Sequence, residues 1–118
     1  PIFSIGLNGT RKMLKYLKNG GMVAVMIDQA VSDGVKFPFF GKEAKTTTSI
    51  AKIAINLNAL IVPAFAFRKE NNTVDIIFQT PVTVSNVEDI TTELNKRLED
   101  VIKKSPANWY WLHRRWKD

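Results

Sequence analysis

A run of six apolar residues, 22–27, constrains the fold more than any other feature of this sequence. Two glycines precede the run and Asp28 follows it, so both of its ends are marked by residues that interrupt regular structure. An apolar run of this length without alternating polar residues is typical of a strand that is buried on both faces. We therefore predict a covered sheet with helices packed against it.

The remaining segments supply that cover. We predict helices over 10–18, 46–58 and 85–106, the last from a Ser-x-x-Glu capping box at Ser85 and Glu88 that precedes apolar residues at steps of three and four. Strands at 60–67 and 74–79 are separated by a five-residue polar turn, which favours an antiparallel hairpin. Residues 28–45 are predicted to be a long loop. This order indicates an α/β fold, a mixed β-sheet flanked by helices.

Size and composition restrict the function further. The chain has 118 residues, which fits a single domain, 1–118, or a piece of a larger one. The sequence contains no cysteine, which excludes a disulfide framework, a thiolate zinc site and cysteine nucleophile chemistry. The formal charge is +6, which favours an anionic partner such as nucleic acid, anionic lipid or a phosphorylated substrate.

The first candidate site follows the predicted buried strand. Asp28 and Gln29 stand at its carboxyl end, where ligand-binding groups gather in α/β sheets, although Asp28 would equally serve as a turn cap. Phe39 and Phe40 lie in the following loop and either fill the core or line an apolar cleft suited to a fatty-acyl chain. Thr46 opens a Thr-Thr-Thr sequence that either offers hydroxyls to a phosphate or caps a helix.

Two segments, one near each end of the chain, are rich in cations. The first predicted helix carries four of them (Arg11, Lys12, Lys15 and Lys18), which indicates a solvated face or contact with an anionic membrane. Near the C-terminus, three tryptophans fall within eight residues and alternate with cations. Such a segment stacks on nucleic-acid bases, anchors at a lipid interface, or packs its indoles into the core.

His113 is the single histidine of the sequence, and with Asp118 it spells His-x4-Asp. Those residue types at that spacing form the catalytic motif of glycerolipid acyltransferases, in which the acid orients a histidine base. We interpret this match as accidental, because it falls at the extreme end of the chain with no strand or loop after it to build a site.

Several short blocks together carry a family resemblance. Asp28-Gln29, Phe39-Phe40-Gly41 and the run from Trp111 to Lys117 stand in one order, with further matching segments over 20–27, 35–38, 46–48, 59–65, 92–99 and 106–110. In this combination the chain resembles the late acyltransferases of lipid A biosynthesis, in the lysophospholipid-acyltransferase-like superfamily. The resemblance covers nearly the whole chain.

The resemblance implies the C-terminal portion of a glycerolipid-acyltransferase-like fold. It also implies an enzyme that moves a fatty acyl group from acyl carrier protein to a hydroxyl of a lipid A precursor, a phosphorylated glycolipid. The reaction would take place at the cytoplasmic face of the inner membrane of a Gram-negative bacterium, at an anionic surface, without metal or other cofactor and without nucleic acid. The family's own His-x4-Asp/Glu would lie upstream, so this segment alone is expected to be inactive.

The motifs and the resemblance together predict roles for individual residues. We expect a supporting catalytic role for Asp28, which matches an acidic position in or beside the family's active site. Arg114 and Arg115 match its terminal block, which we expect to be structural or lipid-facing. The candidate substrate-binding residues are Gln29, Phe39, Phe40, Gly41, Thr46, Arg68, Arg114 and Arg115. The alternative is a basic nucleic-acid-binding or membrane-peripheral interaction module without catalysis.

Overall fold

Three α-helices and two β-hairpins make up the computed structural model, which describes residues 1–4, 6–83 and 85–116. The helices are α1 (Leu7–Lys18), α2 (Ser49–Leu57) and α3 (Val87–Lys104), and the strands are β1 (Val35–Phe39), β2 (Lys42–Thr46), β3 (Ala64–Arg68) and β4 (Val74–Phe78). Two short 3₁₀ turns, Pro106–Asn108 and Trp111–His113, follow α3.

The β1–β2 hairpin turns tightly at Phe40 and Gly41. Phe39 pairs with Lys42, which leaves a two-residue loop in which φ is +51° at Phe40 and +73° at Gly41. Positive φ at both loop positions matches the twist of antiparallel strands. Glycine adopts this backbone region at no steric cost, whereas Phe40 does so at a cost that other contacts must offset.

The β3–β4 hairpin confirms the predicted antiparallel pair. Ala64 pairs with Phe78 and Arg68 with Val74, so the polar turn lies at residues 69–73 as predicted. Beyond β3 and β4 the two arms stay together, because Gln79 N–H donates to the Pro63 carbonyl at 2.9 Å and Val82 N–H donates to Ile61 at the same distance.

Helix α3 joins two apolar clusters into one core. Its apolar residues recur at steps of three and four, so they share one face of the helix. Towards its C-terminal end, Leu98 and Ile102 pack with Phe39 and Ala44 of the β1–β2 hairpin. Towards its N-terminal end, the second cluster comprises Ala51, Val82, Ile90 and Leu94.

The helix ends differ slightly from the prediction. Asn86, rather than Ser85, caps α3, because its side-chain oxygen accepts a hydrogen bond from Asp89 N–H at 2.8 Å. Helix α1 begins at Leu7, three residues earlier than predicted, and α2 begins at Ser49 because Thr46 continues β2. The predicted stop at Asn58 is confirmed, since this residue takes a left-handed conformation with φ of +49°.

Two predictions about residues 22–45 are wrong. Residues 22–27 form no strand, and Met22 and Met26 are 91% and 83% exposed. An apolar run indicates contact with other apolar groups but not a hydrogen-bonded partner strand. In the described part of the chain, β1 pairs with β2 and β3 pairs with β4. The predicted loop 28–45 contains the β1–β2 hairpin, whose Phe40-Gly41 turn is not the Asn-Gly or Asp-Gly pair that signals such turns in sequences. A single mixed sheet, and with it the glycerolipid-acyltransferase-like fold, stays a prediction.

Candidate functional site

An apolar groove of about 650 Å³ crosses the molecule beside α3. Its walls come from residues 23–28 and 59–67, from one side of each of the three helices, and from the segment that follows α3. A volume of this size falls within the range of small-molecule sites. The groove therefore combines a capacity for a ligand with walls that favour an apolar one.

Asp28 supplies the one ionisable side chain among the described residues that line this groove. The apolar residues 23–27, which precede it in the chain, line the same groove. Asp28 itself is half-buried. The groove thus offers a long apolar surface with one acidic residue in its lining.

Arg115 connects the C-terminal segment of the chain to the β1–β2 hairpin. Its side chain is 1% exposed, and it donates from Nη1 to the Lys45 carbonyl at 2.6 Å and from Nη2 to Thr46 Oγ1 at 2.8 Å. The guanidinium also lies 5.0 Å from the centre of the Phe39 ring. Burial lowers the pKa of Arg115 below its ordinary value, and the Asp28 carboxylate opposes that shift. The charge of Asp28 therefore stabilises the charged form of Arg115.

The hairpin turn is held in place by polar contacts with α3 and with Trp116. Phe40 N–H donates to Glu99 Oε1 at 2.8 Å, and Trp116 Nε1 donates to the Phe39 carbonyl at 3.1 Å. Asn95 Nδ2 donates to the Pro38 carbonyl at 3.2 Å. These bonds and the packing of the Phe40 ring offset the strain of its left-handed backbone.

The structure brings together part of the predicted site. Thr46 and Arg115 are bonded to each other, Phe39 packs against Arg115, and Asp28 acts on the same guanidinium. Gln29 is exposed and follows Asp28 directly. Thr46 is 4% exposed, and its hydroxyl oxygen already accepts a hydrogen bond from Arg115. Its local role is therefore structural. Its contact with substrate stays a prediction.

Other predicted residues lie away from the groove wall. Phe39 is fully buried in the core, and Phe40 and Gly41 form the hairpin turn, so none of the three lines the groove. Arg68 is exposed at the end of β3, where its backbone N–H donates to Asn108 Oδ1 at 3.2 Å. Arg114 is exposed beside the last 3₁₀ turn. Substrate contacts by these residues also stay predictions.

His113 belongs to the C-terminal aromatic cluster. Its Nδ1 lies 2.6 Å from the Tyr110 carbonyl, and its ring centre lies 5.1 Å from that of Trp109 in an edge-to-face arrangement. Asp118, the acid of the His-x4-Asp pattern, lies outside the described residues. Within the part of the chain that the structure describes, His, Asp, Glu and Cys side chains form no group of three or more suited to a metal ion.

Sequence reasoning missed three contributors to the site. Asn95 and Glu99 anchor the hairpin, and Trp109 lines the groove. Asn95 carried a signal, because it is a polar residue within the apolar stripe of α3, and such residues usually bond to a buried partner. No local sequence pattern signalled the groove, since the residues that line it are distant from one another in sequence.

Comparisons with known proteins agree on one family. A family profile described as bacterial lipid A biosynthesis acyltransferase matches residues 5–118. The lipid A biosynthesis lauroyltransferase of Escherichia coli (strain K12) is 33% identical over 112 residues, which cover 89% of this chain and 37% of that protein. The chain therefore spans a little over a third of the length of this relative. Among the described residues, no helix has the length and apolar character to cross a bilayer.

Proposed function

Because the chain belongs to the bacterial lipid A biosynthesis acyltransferase family, we propose that it forms part of an enzyme that acylates a hydroxyl of a lipid A precursor. The observation that carries this proposal beyond the family match is the apolar groove with Asp28 in its lining. An acyl ester or thioester needs the same combination, an apolar channel for the chain and polar groups at the reacting carbonyl.

The groove is the proposed site of the acyl chain. Its lining from Val62 to Phe67 and along α3 is apolar, and burial of each methylene from water is worth about 0.8 kcal/mol. A longer chain therefore gains more from the groove than a short one. This supports a fatty-acyl donor, for which we propose acyl carrier protein as the carrier.

The proposed reaction is acyl transfer. The acceptor hydroxyl oxygen attacks the carbonyl carbon of the acyl thioester, a base takes the hydroxyl proton, and the carrier thiol leaves with a proton as the new ester forms. We propose that the base is a histidine of a His-x4-Asp/Glu motif upstream of this chain. Asp28, held near the Arg115 charge, has a supporting role beside the reacting groups.

The net charge of the chain and its family support a proposed acyl acceptor and a proposed cellular location. The chain has a formal charge of +6, which suits a phosphorylated glycolipid and an anionic membrane surface. We propose that the enzyme works at the cytoplasmic face of the inner membrane, and that its fold is a glycerolipid-acyltransferase-like α/β fold of which this chain is the C-terminal portion.

A transfer assay on the complete open reading frame tests this proposal. With an acyl-loaded carrier protein and a lipid A precursor, we expect an acylated product whose rate of formation falls about 100-fold or more in Asp28→Asn. Asp33→Asn is the matched control, because Asp33 is an exposed aspartate of the same segment, outside the groove lining, and its replacement is expected to leave the rate unchanged. Absence of acylated product with any lipid A precursor, or equal rates for both variants, would refute the proposal.

A further inference from the structure

Three consecutive apolar side chains protrude at the C-terminal end of the described chain. Tyr110, Trp111 and Leu112 are 62%, 51% and 79% exposed. We call residues 110–112 the terminal apolar turn. Isolated exposed apolar side chains are common, but a contiguous exposed group on a folded segment indicates an interaction surface.

The terminal apolar turn is held in place by its own contacts. Trp111 Nε1 donates to the Pro106 carbonyl at 2.8 Å, and the Trp111 ring meets the edge of Trp109 with centres 4.6 Å apart. His113 Nδ1 bonds to the Tyr110 carbonyl at 2.6 Å. A surface fixed before binding loses less conformational entropy on binding, which favours a docking role.

Cations flank this turn on both sides in the chain. Lys103 and Lys104 end α3 just before it, and Arg114 follows it, all three exposed. The acids that precede these lysines in α3 are Glu99, which accepts the Phe40 N–H, and Asp100, which is exposed one helical turn before Lys104. Lys103 Nζ lies 5.7 Å from the centre of the Phe40 ring. An exposed apolar group between cationic segments of the chain complements an anionic bilayer, whose headgroups are negative and whose interior is apolar.

The apolar groove extends to the same end of the molecule. Ser105, Asn108 and Trp109 line it, and Trp109 directly precedes the terminal apolar turn. A bilayer at this turn would thus lie beside an apolar path into the groove. A polynucleotide fits the observations less well, because Trp111 is already packed against Trp109 and Leu112 offers no ring for base stacking.

We propose that the terminal apolar turn inserts into the headgroup region of an anionic bilayer, with Lys103, Lys104 and Arg114 at the phosphates. The proposal names the membrane-contacting surface of the function proposed above and rests on it for the lipid character of the groove's ligand. Residues 110–112, rather than the cationic face of α1, then set the orientation of the groove towards the lipid.

Vesicle binding by the full chain tests this inference. We expect binding to phosphatidylglycerol-containing vesicles over pure phosphatidylcholine, weakening with salt, and a loss of about tenfold or more in partitioning for Leu112→Asp. Ile76→Asp is the matched control, because Ile76 is a similarly exposed aliphatic residue on β4, 62% exposed, and should bind as the unaltered chain does. Brominated lipid should quench the tryptophan emission of the unaltered chain, and Trp111→Phe should remove most of that quenching.

Several results would overturn the inference. These are unaltered binding by Leu112→Asp, equal losses in Leu112→Asp and Ile76→Asp, or loss of binding by Lys12→Glu on α1 with Leu112→Asp unaffected. Displacement of the chain from vesicles by a single-stranded oligonucleotide at lower concentration would assign the surface to nucleic acid instead. If Leu112→Asp does not fold, absence of bromolipid quenching in the unaltered chain still refutes the inference. The vesicle-binding assay contains no acyl donor. Its result therefore does not depend on whether acyl transfer succeeds in the separate assay.

Discussion

Arg115 has a structural role that its place in the sequence does not reveal. In the sequence it stands in a cationic, aromatic tail, beside Arg114, and nothing local separates the two. In the structure Arg114 is exposed, whereas Arg115 is enclosed and bonded to β2, almost seventy positions earlier. The difference depends on a long-range contact, which no local pattern in the sequence contains.

Replacement of Arg115 by lysine should therefore destabilise the fold. A lysine ammonium cannot bridge the Lys45 carbonyl and Thr46 Oγ1 as the planar guanidinium does, so one buried group loses its partner. We expect the free energy of unfolding to fall by about 2 kcal/mol, measured by urea denaturation followed by tryptophan fluorescence.

The matched control is Arg114→Lys, at the exposed neighbouring position. Its effect should stay within about 0.5 kcal/mol. Equal free energies of unfolding for the two variants would contradict the structural role assigned to Arg115.

Gly41 has a left-handed backbone conformation that disfavours other residues. Its φ is +73°, and an added Cβ would meet no heavy atom within 4 Å, so an alanine is strained by its backbone and not by a clash. Gly41→Ala should lower the free energy of unfolding by about 1 kcal/mol, and Gly41→Asn by less, because asparagine tolerates the left-handed region. Thermal or urea unfolding of the two variants measures the difference, and a stabilising effect of alanine would contradict the assigned turn geometry.

At the scale of elements, local patterns predicted the helices and one hairpin well. The spacing of apolar residues in α3, the left-handed stop at Asn58 and the polar turn at 69–73 are local signals, and each was confirmed. The β1–β2 hairpin escaped because its turn places a phenylalanine in a left-handed conformation that depends on Glu99, far along the chain. The strand predicted at 22–27 was wrong because residues 23–27 line the groove and form no strand.

The Asn86 cap is expected to stabilise the N-terminal end of α3. Asn86→Ala removes the side-chain oxygen that accepts from Asp89 N–H and leaves a helix N-terminal donor without its partner. We expect a loss of about 1 kcal/mol in the free energy of unfolding.

Ser85→Ala serves as the control for this cap, because Ser85 is the residue that the sequence pattern selects as the cap. Its substitution should change stability by less than about 0.5 kcal/mol. A larger loss for Ser85→Ala than for Asn86→Ala would restore the capping box predicted from sequence.

At the scale of the whole molecule, the chain is less compact than a typical domain of its length. Its radius of gyration is 14.9 Å, against about 13.5 Å expected for 118 residues. Residues of β4 and the terminal apolar turn remain exposed although they are apolar. Such surfaces indicate contacts with other apolar groups, which for the terminal turn we assign to lipid.

The candidate site is likewise a property of the whole molecule. Asp28 was predicted from its place after an apolar run, and it is among the residues that line the groove. This groove could not be predicted, because it arises where residues 23–28, residues 59–67 and the three helices meet. Its walls belong to no single motif, so the family blocks did not reveal it.

A single measurement decides whether this groove holds the acyl chain. Ala66 lines the groove and is exposed to it, so Ala66→Phe should narrow the groove without disturbing the core. Ala107→Phe, at an exposed alanine outside the groove lining, is the control. The measurement is the ratio of transfer rates with lauroyl and butyryl donors, made on the complete open reading frame. We predict that Ala66→Phe lowers this ratio by about tenfold or more while Ala107→Phe leaves it unchanged. An unchanged ratio in Ala66→Phe, with a properly folded protein, would contradict the account.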